Sequence, residues 1–212
     1  MASPALHEEI AGRLRVQDHE KFFVAGSTHP GEEDAVIEAY KKLLARYPEF
    51  RLILVPRHIE RTRDVIGILR QAGLDDVITF TEVRDGRERH DEKVMVVDVI
   101  GELFKIYSLG TVVYCGGSLV PKGGQNILEA AAWGKVIFYG PSMEDFGQEA
   151  ALLEDAGAGI RIRNARELSE GMLQILADPQ DARQRGERGR AVVLANMGAA
   201  QRYAEMMIRH LA

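Results

Sequence analysis

Six short, unbroken apolar runs punctuate the chain, and helical patterning separates most of them. They are Phe22–Ala25, Leu52–Val55, Val77–Phe80, Val94–Val97, Val112–Cys115 and Val136–Tyr139, with Gly159–Ile162 a weaker seventh. Because the runs are continuous and do not alternate with polar residues, they read as strands covered on both faces, the pattern of a parallel sheet under two helix layers. Between them, Glu33–Tyr47 carries Ala35, Val36, Ala39, Tyr40, Leu43 and Leu44 at the 3.6-residue helical period. Fainter helical patterns cover Arg61–Ala72, Leu103–Ser108, Ile127–Trp133, Phe146–Asp155 and Ala165–Ala177, and Gly73 is placed to close the first of these. Residues 1–20 read as a leading helix or linker, and Asp181–Leu211 as one or two helices with a break expected at Asn196–Gly198. The expected architecture is a single three-layer α/β/α Rossmann-like domain over residues 1–212, with a mostly parallel sheet.

At 212 residues the chain can bury roughly 70% of its unfolded surface and needs no metal or disulfide staple. A formal net charge of -5 argues against a broad basic nucleic-acid surface. The single cysteine, Cys115, excludes an internal disulfide framework and suits a reducing compartment. No apolar run approaches the roughly 20 residues that span a bilayer. His7, Glu8 and Glu9 fall where a signal peptide would be apolar, so the expected location is cytoplasmic. The charge-rich segment Arg84–Lys93 (RDGRERHDEK) reads as a solvated loop.

Glycines and polar residues collect just after the strands. Gly26-Ser27-Thr28 follows the first run, Pro56-Arg57-His58 the second, Gly116-Gly117-Ser118 the fifth and Gly140-Pro141-Ser142 the sixth. Ligands of open α/β sheets bind at these carboxyl ends, where the strand order reverses. The densest segment is Gly116–Gly134, GGSLVPKGGQNILEAAAWG. Gly123-Gly124 permits close backbone approach and leads into a helix expected to start near Asn126, whose free N–H groups suit an anion. Asn126 is also a natural N-cap, with Glu129 at capping-box spacing. Ser27 and Thr28 likewise either cap the helix that follows or face a ligand. The spacing matches neither GxGxxG nor a Walker A loop. His29 and His58 belong to no cluster with metal-ligand spacing, so no metal is expected. Cys115 and Trp133 read as core residues.

These motifs carry a resemblance. The segment GGSLVPKGGQNILEAAAWGKVIFYGPSMEDF is similar to the nucleotide-binding half of bacterial 3-deoxy-D-manno-octulosonic acid (Kdo) transferases. GSTHPGEE at Gly26–Glu33, PRHIER at Pro56–Arg61 and DVIGEL at Asp98–Leu103 resemble three further motifs of that family, in the same order. Gln125 and Ala130 depart from the His and Pro common in relatives. The resemblance implies one half of a GT-B glycosyltransferase. It assigns CMP contacts to Pro56 and Arg57, to Ile100, Gly101 and Glu102, and to Asn126, Ile127, Leu128 and Glu129. Ser27, Thr28, Gly123 and Gly124 join them as candidate donor-site residues. It further implies a CMP-Kdo donor, no metal or other cofactor, and a lipid A precursor bound by an amino-terminal domain that also supplies the catalytic base. The intact enzyme would associate with the cytoplasmic face of the inner membrane. The alternatives are a GT-B domain that uses a UDP-sugar, as transferase or epimerase, and a stand-alone nucleotide-binding module.

Overall fold

All seven apolar runs become strands of one sheet in the computed structural model, which describes residues 1–211, with side-chain surroundings through Met197. The strands are β1 (Lys21–Thr28), β2 (Phe50–Pro56), β3 (Val77–Thr79), β4 (Val94–Val96), β5 (Gly110–Cys115), β6 (Ile137–Tyr139) and β7 (Gly159–Arg161). Their order is β3-β4-β2-β1-β5-β6-β7, and every adjacent pair is parallel. The helices are α1 (Pro4–Arg13), α2 (Glu33–Arg46), α3 (Thr62–Gln71), α4 (Phe80–Arg84), α5 (Leu103–Ile106), α6 (Leu128–Ala131), α7 (Gly147–Asp155), α8 (Ala165–Ala177) and α9 (Pro179–Leu211).

Successive side chains of a strand point to opposite faces, so each strand feeds two cores. Phe22 and Val24 of β1 join Ile10 of α1, Leu153 of α7 and Val193 of α9 on one side. Phe23 and Ala25 join Val36 and Leu43 of α2, Leu69 of α3 and Leu168 of α8 on the other. These are the three expected layers. Among the described residues, no helix is long and apolar enough to cross a membrane.

Several local expectations are corrected. Phe80 opens α4 and does not extend β3. A capping box turns the chain there: Glu82 N donates to Thr79 Oγ1 (3.2 Å) and Thr79 N to Glu82 Oε2 (2.8 Å). The helix expected over Ile127–Trp133 shrinks to four residues, because Trp133 N and Gly134 N bond three residues back, to the Ala130 and Ala131 carbonyls, and Gly134 sits at φ 68°. Trp133 therefore lies beyond α6, partly buried, with Nε1 donating to the Phe104 carbonyl (2.6 Å). Helix α9 runs unbroken through Asn196–Gly198. One asparagine and one glycine cost a helix only about 1–2 kcal/mol, and no proline intervenes. The segment 84–93 is not wholly solvated: the Arg89 side chain is only 6% exposed, paired with a Glu20 that also holds Arg51, and it stacks over Phe22.

Candidate functional site

From β1 the chain steps outward through β2 to the edge strand β3, returns to β4, then crosses to β5 on the far side of β1. The order thus reverses at β1, and the carboxyl end of β1 is where the crevice opens. There the pairing of β1 with β2 slips between Gly26 and Thr28, and Ser27 adopts φ 54°. A non-glycine residue in the left-handed region is uncommon and marks a conformation imposed by its surroundings. The imposing neighbour is Gly116, whose N–H bonds the Gly26 carbonyl (2.8 Å). Any Cβ at position 116 would strike the Ser27 carbonyl, so that position requires glycine.

Beside Ser27 lies a cavity of about 280 Å³, lined by Ser27, Arg57, Gly101, Leu103, Phe104, Tyr107, Gln125, Asn126 and Glu129. A smaller one of about 90 Å³ adjoins it and adds Pro56 and Ile100. Three separate strand ends and one loop therefore converge: Ser27 at the end of β1, Arg57 after β2, Gly101 after β4, and Asn126 with Glu129 after β5. Arg57 is exposed, held in place by its backbone N–H on the Thr28 carbonyl (2.9 Å). Glu129 is partly buried, and burial raises its carboxyl above the usual range; a hydrogen bond from Asn126 (3.4 Å) and the charge of Arg57 oppose that rise. Asn126 Oδ1 also accepts from the N–H of Leu128 (3.1 Å), the first residue of α6, whose N-cap is Ile127. Both residues line the cavity while bonding one another.

Other candidates fall elsewhere. Ile127 is fully buried in the core. Leu128 faces a neighbouring, more apolar groove of about 340 Å³ that runs toward Val193 and Leu194 of α9. Glu102 lines neither cavity, and its carboxylate is held by Arg13 of α1 (2.6 Å) and Lys105 (3.3 Å). Gly123 and Gly124 do not line it either. Gly123 N donates to Ser142 Oγ (2.9 Å) and Gly124 N to the Gly117 carbonyl (2.9 Å), while a Cβ on either would meet Asp145 or Met143. This glycine pair answers to close packing within the loops. Neither Ser27 nor Thr28 caps α2, whose N-cap is Glu32 with no side-chain cap bond; Thr28 ends β1, fully buried. Leu103, Phe104 and Tyr107 were not read from the sequence as lining residues, and Gln125 entered only as a departure from relatives. Phe104 and Tyr107, three residues apart just after Gly101, were the available signal.

No family model matches the chain. The 3-deoxy-D-manno-octulosonic acid transferase of Haemophilus influenzae is 30% identical over 190 residues, covering 89% of this chain and 44% of that protein. That of Aquifex aeolicus is 34% identical over 157 residues, covering 74% and 42%. Among solved structures, the C-terminal CMP-Kdo binding domain of WaaA from Acinetobacter baumannii superposes with a TM-score of 0.80 at 28% identity, covering 91% of this chain and 99% of that one. The chain belongs with the carboxyl-terminal half of the Kdo transferases. Its architecture is that of one half of a GT-B glycosyltransferase. It spans less than half the length of these two curated transferases.

Proposed function

We propose that this chain is the donor-binding half of a glycosyltransferase and binds CMP-Kdo at the carboxyl edge of its sheet. The observation that carries the reading is the cavity that joins Ser27, Arg57, Gly101, Asn126 and Glu129 at the strand-order reversal. Each wall offers chemistry suited to a nucleotide. The Arg57 guanidinium presents a planar fork of donors for the phosphate. The partly buried Glu129 accepts from ribose hydroxyls. Gly101, at φ 91°, keeps the loop backbone free of a side chain where the nucleotide would approach. The leaving group of the proposed transfer is CMP, and Arg57 stabilises the charge that grows on its phosphate.

The proposed reaction is inverting and calls for no metal or cofactor. Its acceptor, a lipid A precursor, and the base that activates the acceptor hydroxyl belong to the amino-terminal domain. The complete enzyme would work peripherally at the cytoplasmic face of the inner membrane, with no nucleic-acid partner. Calorimetric titration with CMP, UDP and NAD tests the reading. CMP is expected to bind preferentially, and Arg57→Ala to weaken it by about 1.5–3 kcal/mol, the range for a lost hydrogen bond to a charged group. A preference for UDP would replace the Kdo assignment.

A further inference from the structure

The two cavities at the carboxyl edge share one wall, the loop that joins β4 to α5. Val99, Ile100, Gly101 and Leu103 line the smaller cavity, and Gly101 and Leu103 line the larger one too. This loop has little packing of its own to hold its shape: Ile100 is 82% exposed, and Gly101 sits at φ 91°. A glycine brings no side chain to restrict the backbone, so the order of the loop has to be imposed by its neighbours.

Two carboxylates impose it, one at each end. Asp98 Oδ1 accepts from Thr81 N of α4 (2.9 Å). Glu102 Oε1 accepts from Arg13 Nη1 of α1 (2.6 Å), and Lys105 Nζ stands 3.3 Å from Glu102 Oε2. Neither acid lines either cavity. The two acids of the DVIGEL segment thus bond to neighbouring helices, and the residues between them form the wall.

The second pin reaches across 89 residues of chain. Helix α1 is a firm base for it, because Ile10 and the adjoining Leu14 are fully buried in the core. His7 Nδ1 also lies 3.0 Å from Ser108 Oγ, just beyond α5. The Arg13 fork is divided. Its Nη2 donates to Glu9 Oε1 (2.8 Å), which takes Lys105 Nζ as well (2.7 Å). Arg13, Glu102, Lys105 and Glu9 therefore close a ring of alternating charge between α1 and α5. The Glu102 side chain is only 17% exposed, so water and salt screen this pair less than an open surface pair.

We propose that Arg13 is a positioning residue for the donor: through Glu102 it holds Val99–Gly101 in the shape that receives the nucleotide. This deepens the nucleotide reading above and rests on it. Arg13 lines neither cavity, so it acts on the donor through the loop. A loop ordered before binding spares the ligand the entropic cost of ordering it, and the saving appears as affinity.

Arg13→Met tests this, since it keeps the aliphatic stem and removes the fork. Lys42→Met is the control, because it breaks an ion pair with Glu38 (2.8 Å) on α2 and lines neither cavity. By calorimetry Arg13→Met is expected to weaken CMP about fivefold, with a fall in melting temperature of less than about 4 °C. In the nucleotide-free chain, amide hydrogen exchange at residues 99–101 is expected to quicken about fivefold. Glu102→Met is expected to match these changes, and the double variant to bind CMP no more weakly than either single one. Lys42→Met is expected to leave CMP affinity and loop exchange unchanged. CMP affinity unchanged in Arg13→Met overturns the positioning role. Additive losses in the double variant, or an equal loss in Lys42→Met, overturn it too. If Arg13→Met fails to fold, Arg13→Lys, which keeps the charge without the fork, decides by the same readings. Failure of the parent chain to bind CMP overturns the nucleotide reading, and loop exchange, which needs no nucleotide, then decides the clamp by itself.

Discussion

Tyr114 donates its hydroxyl to Glu32 Oε1 at 2.7 Å, across 82 residues of chain. Burial and the adjacent Glu32 charge push this tyrosine well above its usual range, which keeps it a donor. The same carboxylate, fully buried, accepts from Gly117 N (2.7 Å), Ser118 N (3.0 Å) and Leu119 N (2.9 Å). Glu32 therefore works as an internal anion that the loop after β5 wraps, in the way a glycine-rich loop wraps a phosphate. It ties the turn after β1 to the loop that leads to Gln125 and Asn126.

Replacing Glu32 with Gln is expected to be costly. A carboxylate offers about four acceptor positions, whereas an amide offers two and turns an NH₂ toward backbone donors. The expected loss is on the order of 3 kcal/mol or more, in the range for a disrupted buried network. Chemical denaturation of the purified variant checks this. A loss below about 1 kcal/mol would show that the loop holds its shape without the carboxylate.

Neither this network nor the cavity's full lining was legible in the sequence, although the sheet was. Buried parallel strands read as unbroken apolar runs because both of their faces are covered, so Leu52–Val55 or Val94–Val97 announces itself locally. The role of Glu32 could not be read locally, because most of the groups it binds lie more than 80 positions downstream. Arg89 looked like one charge in a solvated loop, because its partner Glu20 lies 69 residues upstream. The site was legible where it coincided with strand ends, as at Ser27 and Arg57. Gly123-Gly124 misled because positive φ serves tight loop packing as well as ligand approach.

Glu129 accepts from the Asn126 side chain beside the proposed ribose contact, and one substitution separates the two roles. Gln at this position still serves the Asn126 side chain, so Glu129→Gln is expected to leave stability nearly unchanged. It removes a charged acceptor from the cavity, so CMP affinity is expected to fall by about 1 kcal/mol or more. Titrating the variant with CMP, and the wild-type chain with the 2′,3′-dideoxy analogue, checks both halves. Equal wild-type affinity for the two nucleotides would remove the ribose contact.

Lys135, just before β6, makes stability depend on pH in the alkaline range. Burial lowers its ammonium from 10.5 to about 8. Below that value both the folded and unfolded chains are protonated there, and the fold bears the whole cost of burying the charge. Between about 8 and 10.5 the unfolded chain holds the proton more tightly, so unfolding becomes less favourable as pH rises. Lys135→Met is expected to stabilise the protein at neutral pH by about 1–2 kcal/mol, since the side chain is only partly shielded from water. It is also expected to flatten the rise toward pH 10. Urea denaturation of both chains at about pH 7 and about pH 10 measures the difference. A variant less stable than the parent at neutral pH would mean that Lys135 contributes through packing of its aliphatic stem.

The 212-residue chain is expected to bind donor without transferring sugar. Among the residues that line the cavity, Glu129 is the one carboxylate, and the proposed reading gives it to the nucleotide. That leaves the cavity without a second carboxylate to deprotonate an acceptor hydroxyl. The chain also spans only 44% of its Haemophilus influenzae relative. Aligning a donor and an acceptor between two domains can contribute roughly 7–11 kcal/mol of barrier lowering, and a surface that holds only the donor forfeits nearly all of it. A radiolabelled assay with CMP-Kdo and a lipid A precursor measures the outcome, run with and without a separately expressed amino-terminal domain of a Kdo transferase. The expected result is no turnover by the chain alone and turnover on mixing. Robust transfer by the chain alone would require a base among residues assigned here to binding, and Glu129 would be the first to re-examine.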